Sequence, residues 1–244
     1  MAYLPILTYH RIIKEEPTKA VDPKRIAVSA AQFRSHMTFL KRLGYHSVSL
    51  NTYGRQLREN PRIPARSFAI TFDDAYQEMV TLALPVLRDT GFAATVFAVS
   101  GQLGGTNAWD DGQAALLTAD GLRAWRQAKM DVGAHTCSHV HLPQVDAAAA
   151  RHEIVDSKKQ LEEVLGETVS TFAYPYGETN EVVSGLVRDA GFDAAFVTDR
   201  GRRNHAENLY HLRRVVIFPR TNLWELLWKV QRWYPAYQDW KRRP

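Results

Sequence analysis

At 244 residues the chain can bury a large core, and 45% of it is hydrophobic, yet no apolar run reaches the length of a membrane-spanning helix. The single cysteine, Cys137, excludes an intrachain disulfide. Net charge is +5, from 31 Lys and Arg against 26 Asp and Glu; after residue 199 the balance is 11 basic to 3 acidic, which suits a solvated face, an anionic partner or a membrane surface.

The opening residues 1–10 lack a basic leader region, an apolar leader core and a small-residue cleavage site, so a cytoplasmic location is expected. Residues 5–9 are predicted as a short strand ending at His10 and Arg11. Residues 15–25, polar and with two prolines, are predicted as a loop. Ser29 with Gln32 predicts a capping box, followed by a helix with Phe33, Met37 and Leu40 on one face and Gly44 at its end. Residues 45–50 are strand-like, and residues 60–66 lead into S-F-A-I-T-F-D-D at 67–74. Its near-continuous apolar run predicts a strand buried on both faces.

A helix is predicted from 75 to 90, interrupted at Pro85, then a strand at 93–99 and a glycine-rich loop at 101–113 that holds Trp109. A helix at 118–130 and a strand at 132–135 follow. Asp146 predicts the start of a long helix ending at Gly166; then come a strand at 171–174, a helix carrying Val182, Val183, Leu186 and Val187, and last strands at 194–198 and 212–218. Asn222 caps a final helix rich in tryptophan. Strands alternating with helices mean a parallel sheet with crossover helices, and about seven to eight strands fit a (β/α) barrel in a single domain. The barrel is expected over 1–220, with 221–244 as a C-terminal aromatic and basic helix packed on or appended to it.

The predicted strand at 67–72 stops on two carboxylates, Asp73 and Asp74, and a second apolar segment runs into D-V-G-A-H-T-C-S-H at 131–139. Buried carboxylates need a cation or hydrogen bonds. An isolated Asp-Asp reads as a solvated turn; with His135 and His139 four apart, a mixed O/N set for a divalent metal such as zinc becomes the better reading. Asp73, His135, Pro175 and His10 all fall at predicted carboxyl ends of strands, where barrel active sites lie.

T-F-D-D at 71–74, H-T-C-S-H at 135–139 and Y-P-Y-G at 174–177 resemble the polysaccharide deacetylases, the NodB-homology proteins of carbohydrate esterase family four. Y-H-R-I at 9–12 and L-R-R-V around Arg214 resemble the branch with poly-N-acetylglucosamine and exopolysaccharide deacetylases. The resemblance implies a distorted (β/α) barrel of the NodB type that hydrolyses N-acetyl groups of amino sugars in a polysaccharide or its precursors. It implies one divalent ion, Zn2+ in first place and Co2+, Ni2+, Mn2+ or Fe2+ as alternatives, on Asp74, His135 and His139. It also implies Asp73 as general base and the Tyr176 backbone N–H, after Pro175, as oxyanion donor. An N-acetylated glycan is the implied partner; no nucleic acid is expected. Two other functions follow the same site: hydrolysis of another amide, of the cyclic imide or ureide type, or glycan binding without catalysis.

The sequence departs from the family where an arginine would precede Pro-Tyr-Gly; here stand Ala173 and Tyr174. No late Leu-x-x-His, the family's proton donor, is recognisable. Because first and last strands of a closed barrel are neighbours, Arg214 is expected to hold Asp73 ionised and His10 to protonate the leaving amine. The structural alternatives are a barrel-closing salt bridge for Arg214 and a hydrogen bond to the barrel wall for His10. Trp109 reads as a sugar-stacking residue or as a loop anchor. Cys137 reads as a small packed residue, and His141 as a residue packed near the site. His152, His205 and His211 read as surface or structural histidines. The tryptophans at 224, 228 and 233 read as a helix sealing the barrel, or, with Lys241, Arg242 and Arg243, as peripheral membrane contact.

Overall fold

The computed structural model describes residues 4–237, except 20, 21, 23, 60–62, 111, 113, 199–207, 232, 235 and 236. Its elements in chain order are β1 (Ile6–Tyr9), β2 (Arg11–Ile13), β3 (Ala27–Ser29), α1 (Ala30–Arg42), β4 (His46–Ser47), α2 (Leu50–Glu59) and β5 (Ser67–Phe72). Then come α3 (Leu84–Thr90), β6 (Thr95–Ala98), α4 (Ala119–Gln127), β7 (Asp131–Ala134) and α5 (Ala147–Leu165). The last are β8 (Thr171–Ala173), α6 (Glu181–Asp189), β9 (Ala194–Val197), β10 (Leu212–Arg213), β11 (Val215–Val216) and α7 (Leu223–Lys229).

All strands of the main sheet pair in parallel, in the order β10-β9-β8-β7-β6-β5-β1-β11, and β4 adds to β5. Only Arg214 separates β10 from β11, so one stretch of chain pairs with β9 at one edge and β1 at the other. The sheet is thereby nearly closed into a barrel, and the chain is a single α/β domain. The predicted strand at 212–218 is therefore two short strands; Arg214 still bonds through its backbone N–H to Val197 O at 3.0 Å, and Ile217 N to Thr8 O at 2.8 Å.

Side chains alternate across this sheet with period two. Phe68, Ile70 and Phe72 of β5, Val96 of β6 and Phe172 of β8 join the helix residues Phe33, Met37 and Trp125 in one core. The opposite parity turns inward: Ile6, Ala69, Phe97, Ala173, Ala194 and Phe196 form a second core with Leu50, Tyr53 and Leu57 of α2. Each fully buried Phe contributes about 1.5–3 kcal/mol relative to an exposed one. The inward parity continues past the strand ends, through Thr8 to His10, Thr71 to Asp73 and Gly133 to His135.

Several local expectations change. Residues 45–50 are strand only at 46–47, because Leu50 starts α2, a helix whose Leu50, Tyr53 and Leu57 pack on the amino-terminal ends of the strands. Gly54 lowers its helix propensity, but a Cβ there would meet Ala194 Cβ at 3.0 Å, so close packing explains the glycine. Only half of the capping box at Ser29 forms: Gln32 N donates to Ser29 Oγ, while the Gln32 side chain donates to Pro219 O and Thr221 O, both at 2.9 Å. The helix expected from residue 75 begins at Met79 as a π-helical turn and becomes α3 at Leu84, with Pro85 in its first turn, where no N–H is needed. The two short strands β2 and β3 pair with each other and were not legible as periodic runs.

The helix α7 packs against α1 through Leu226, which is fully buried, and not through its tryptophans: Trp224 is 73% exposed. The tail residues Lys241, Arg242 and Arg243, and also His205, lie outside the described residues.

Candidate active site

Strand β5 continues its ladder one residue further, with Asp73 N donating to Tyr9 O at 3.0 Å. The chain then turns through two consecutive left-handed residues, Asp74 (φ 69°) and Ala75 (φ 57°). Such a conformation costs a non-glycine residue about 1–2 kcal/mol. Thr136, His139 and Tyr176 adopt it as well; Asp74, His139 and Tyr176 line one pocket, and Ala75 and Thr136 each adjoin a residue that lines it. Strain of this kind persists only where surrounding contacts fix it.

Those contacts are visible at the 135–139 loop. His139 N donates to Thr136 Oγ1 at 2.9 Å, and Glu153 of α5 accepts from Cys137 N at 2.8 Å, Ser138 N at 2.9 Å and Ser138 Oγ at 2.5 Å. Gly101 touches the same loop; a Cβ there would meet Cys137 O at 2.6 Å. His135 Nδ1 donates to Ala173 O at 2.7 Å, which fixes the tautomer and leaves Nε2 bare. That Nε2 stands 3.5 Å from Asp74 Oδ1, and His139 Nε2 stands 3.3 Å from the same oxygen.

Asp74, His135 and His139 thus offer three donor atoms within 4.8 Å of one another, all buried. Asp74 Oδ1 accepts no hydrogen bond among the described residues. An orphaned, buried carboxylate oxygen facing two imidazole nitrogens is what a divalent cation would satisfy, so the residues fit a metal. Burial pushes the His135 imidazole down to about 4, which keeps it unprotonated, as a ligand must be. For Asp74, burial raises the carboxyl pKa, but the neighbouring imidazoles, His139 first, then His10 and His135, outweigh it and hold the group ionised.

Asp73 faces the other way. Arg214 Nη1 and Nη2 donate to its two oxygens at 2.5 and 2.9 Å, a bidentate pair with no exposure on the arginine side chain. The guanidinium also lies 5.2 Å from the Phe97 ring and 3.3 Å from Thr71 Oγ1. Burial alone would raise the Asp73 pKa; Arg214, followed by His135 and His10, more than offsets it and keeps the carboxylate below its ordinary value. His10 Nε2 is 3.8 Å from Asp73 Oδ2.

Aromatic rings wall the pocket, which has a volume of about 250 Å³. Trp109 stacks on His139 with centroids 4.4 Å apart, and Tyr176 meets His139 edge-on at 4.7 Å. His141 stacks on Tyr176 at 3.6 Å and bonds Glu178 at 2.9 Å. Lys24 and Asp110 join in an ion pair of 3.1 Å among the residues lining the pocket.

A family profile for polysaccharide deacetylases matches residues 60–195, more than half of the chain. The chain belongs to the polysaccharide deacetylase family. It is 26% identical over 218 residues to YxkH of Bacillus subtilis (strain 168), itself assigned to the polysaccharide deacetylases, covering 89% of this chain and 72% of that one. It is 24% identical to the poly-beta-1,6-N-acetyl-D-glucosamine N-deacetylase of Staphylococcus aureus (strain MSSA476), over 86% of this chain and 77% of that one. The solved structure of the Streptococcus pyogenes deacetylase PplD, in complex with acetate, superposes with a TM-score of 0.83 at 26% identity, covering 94% of this chain and 99% of that one.

In this polysaccharide deacetylase the matched stretch contains Asp73, Asp74, Trp109, His135, His139, Pro175 and Tyr176, while His10 and Arg214 lie outside it and are brought in by the barrel closing. Seven of the nine expected residues line the pocket, Arg214 reaches it through Asp73, and Pro175 is the buried one of the Pro175–Gly177 turn, where Gly177 is required because a Cβ would meet Thr198 Oγ1 at 2.1 Å. Cys137 is packed, 3.6 Å from Ser100 Oγ, and burial pushes its thiol up to about 11, so it is neither ligand nor nucleophile. His152 is an exposed partner of Asp156. Sequence reasoning missed Glu153, Lys24 and Asp110: none sits in a motif, and only the packing of α5 and of two loops brings them to the site.

Proposed function

We propose that the chain is a metal-dependent hydrolase that removes N-acetyl groups from amino sugars of a polysaccharide or its precursors. The observation that carries this reading is the division of labour between adjacent carboxylates: Asp74 faces two imidazoles and Asp73 faces a guanidinium. Asp74, His135 and His139 would hold the ion, which when bound supplies Lewis acidity toward the acetyl carbonyl and toward water.

The remaining work falls to the chain itself. Asp73, kept ionised by Arg214, takes a proton from the attacking water as its oxygen bonds to the acetyl carbon. The Tyr176 backbone N–H, at the left-handed turn, is the donor proposed for the developing oxyanion. His10, beside Asp73, gives a proton to the sugar nitrogen as the carbon–nitrogen bond breaks, so acetate and a free amine leave. Trp109 covers one face of the His139 ring and Tyr176 packs against it edge-on, which holds the imidazole in place.

The test is acetate release from a panel of N-acetylated oligosaccharides with and without a chelator. Release that stops on chelation and returns with a divalent ion is expected. Release that a chelator leaves intact rejects the metal, and turnover confined to small cyclic amides rejects the glycan.

A further inference from the structure

A second concavity, a groove of about 770 Å³, runs between the 14–25 loop and the segment carrying α7. Phe218 and Trp228 line it with 42% and 50% of their surface exposed. Lys229 Nζ lies 5.9 Å from the Phe218 ring centroid and Trp233 meets Trp228 edge-on at 5.5 Å, so each ring keeps part of its surface open, and a pyranose ring offers a flat face of C–H groups to such a surface. The volume lies in the range of ligand sites.

The charges around the groove are unequally committed. Both Asp22 oxygens accept backbone N–H groups, from Ile26 at 3.0 Å and Ala27 at 2.8 Å; Glu16 accepts from Ser29 Oγ at 2.8 Å and Glu225 from Asn222 N at 3.3 Å. These anions serve the fold. Of the cations, Lys229 Nζ donates to Val216 O at 2.9 Å, but Lys19, Arg25 and Arg220 are exposed and make no ion pair among the described residues. Hydrogen bonds to neutral donors leave these carboxylates charged, so the lining, with four cations against three carboxylates, has a formal balance of +1, and Lys19, Arg25 and Arg220 are its exposed cations. The groove also shares its wall with the catalytic pocket: Lys24 and Ile26 line the pocket, and Arg25 between them, at φ 57°, lines the groove.

We propose that this groove binds an acidic stretch of the glycan chain, with Phe218 and Trp228 under sugar rings and Lys19, Arg25 and Arg220 on carboxylate or phosphate groups. A concave site with cations set among aromatics fits a polymer chain better than a flat bilayer, which would instead meet Trp224, outside the groove. The inference rests on the glycan reading above, but its test is binding and not turnover, so the two fail separately.

The full chain is titrated with tetragalacturonate, with mannopentaose phosphate, with neutral cellotetraose and with phosphatidylglycerol vesicles, followed by tryptophan fluorescence and calorimetry. At least one acidic saccharide should bind ten-fold or more tightly than cellotetraose, and which one binds tells carboxylate from phosphate. Arg25→Asn with Arg220→Gln should weaken that binding at least ten-fold; asparagine tolerates the left-handed backbone at 25. Trp228→Ala, at an exposed position, should weaken it independently. Equal affinity for cellotetraose, unchanged affinity in both variants, or binding to vesicles alone overturns the proposal. Acidic saccharides that bind to a chain releasing no acetate from any substrate would instead overturn the deacetylase reading and leave the groove standing.

Discussion

Asp73 has two neighbours that set its chemistry, the Arg214 guanidinium on both oxygens and His10 at 3.8 Å. Asp73→Asn keeps the three-donor cluster, so metal content measured by elemental analysis should be unchanged while acetate release falls about 10²-fold or more. Loss of the ion in that variant would make Asp73 a ligand. His135→Ala should do the reverse, losing both ion and turnover with the circular dichroism spectrum retained; full metal stoichiometry would reject the site. Arg214→Met leaves Asp73 buried without its cation, a change worth about 3–5 kcal/mol of stability. Arg214 lowers the Asp73 pKa, so its removal raises it, and the acidic limb of the rate–pH profile should move to higher pH; Arg214→Lys should move it part of the way back. An unshifted limb would show that Asp73 does not titrate in turnover. In stability terms the depressed Asp73 pKa helps at neutral pH and is lost only as pH falls through that depressed value.

Among the elements, β7 and α1 show how a single position sets what can pack. Gly133 of β7 lies two residues before His135, and a Cβ there would meet the Phe97 ring at 2.4 Å and Thr171 Oγ1 at 2.7 Å. Gly133→Ala should therefore destabilise by about 1–3 kcal/mol in chemical denaturation, with the barrel interior forced apart; an unchanged midpoint would mean that Phe97 moves freely. His36 of α1 ties three elements: its Nε2 donates to Thr221 O at 2.8 Å ahead of α7, and its Nδ1 accepts from Tyr9 OH of β1 at 3.1 Å. This needs the neutral ring, and burial lowers the pKa accordingly. The unfolded chain then binds the proton more readily, so stability should fall as pH drops below about 6.5 toward the lowered folded value. His36→Gln keeps a donor and an acceptor but does not titrate. The stability gap between wild type and variant, from urea midpoints, should shrink between pH 8 and pH 5.5; a constant gap would reject a titrating His36.

At the scale of the molecule, closure of the sheet is what assembles the site. Residues 212–216 pair with β9 and with β1, and that places Arg214 beside Asp73, 141 positions away in sequence. The helix α2 closes the other end through Leu50, Tyr53 and Leu57. Among the described residues no helix is long and apolar enough to cross a membrane.

The alternation of apolar strands and amphipathic helices was enough by itself to determine a parallel sheet with crossover helices, because period two and period 3.6 are local properties of the chain. Carboxylates and imidazoles placed straight after apolar runs also marked Asp73, Asp74, His135 and His139, since burial makes such groups costly without a partner. Short strands such as β2 and β3 carry too few residues to show a period, and Gly54 hides α2 by lowering its local propensity for a reason that lies in Ala194. Pairing between distant side chains has no local signature at all. That Arg214 holds Asp73, that Glu153 caps the histidine loop, that Lys24 reaches Asp110 and that Trp228 lines a groove instead of the core were decided only when the barrel closed.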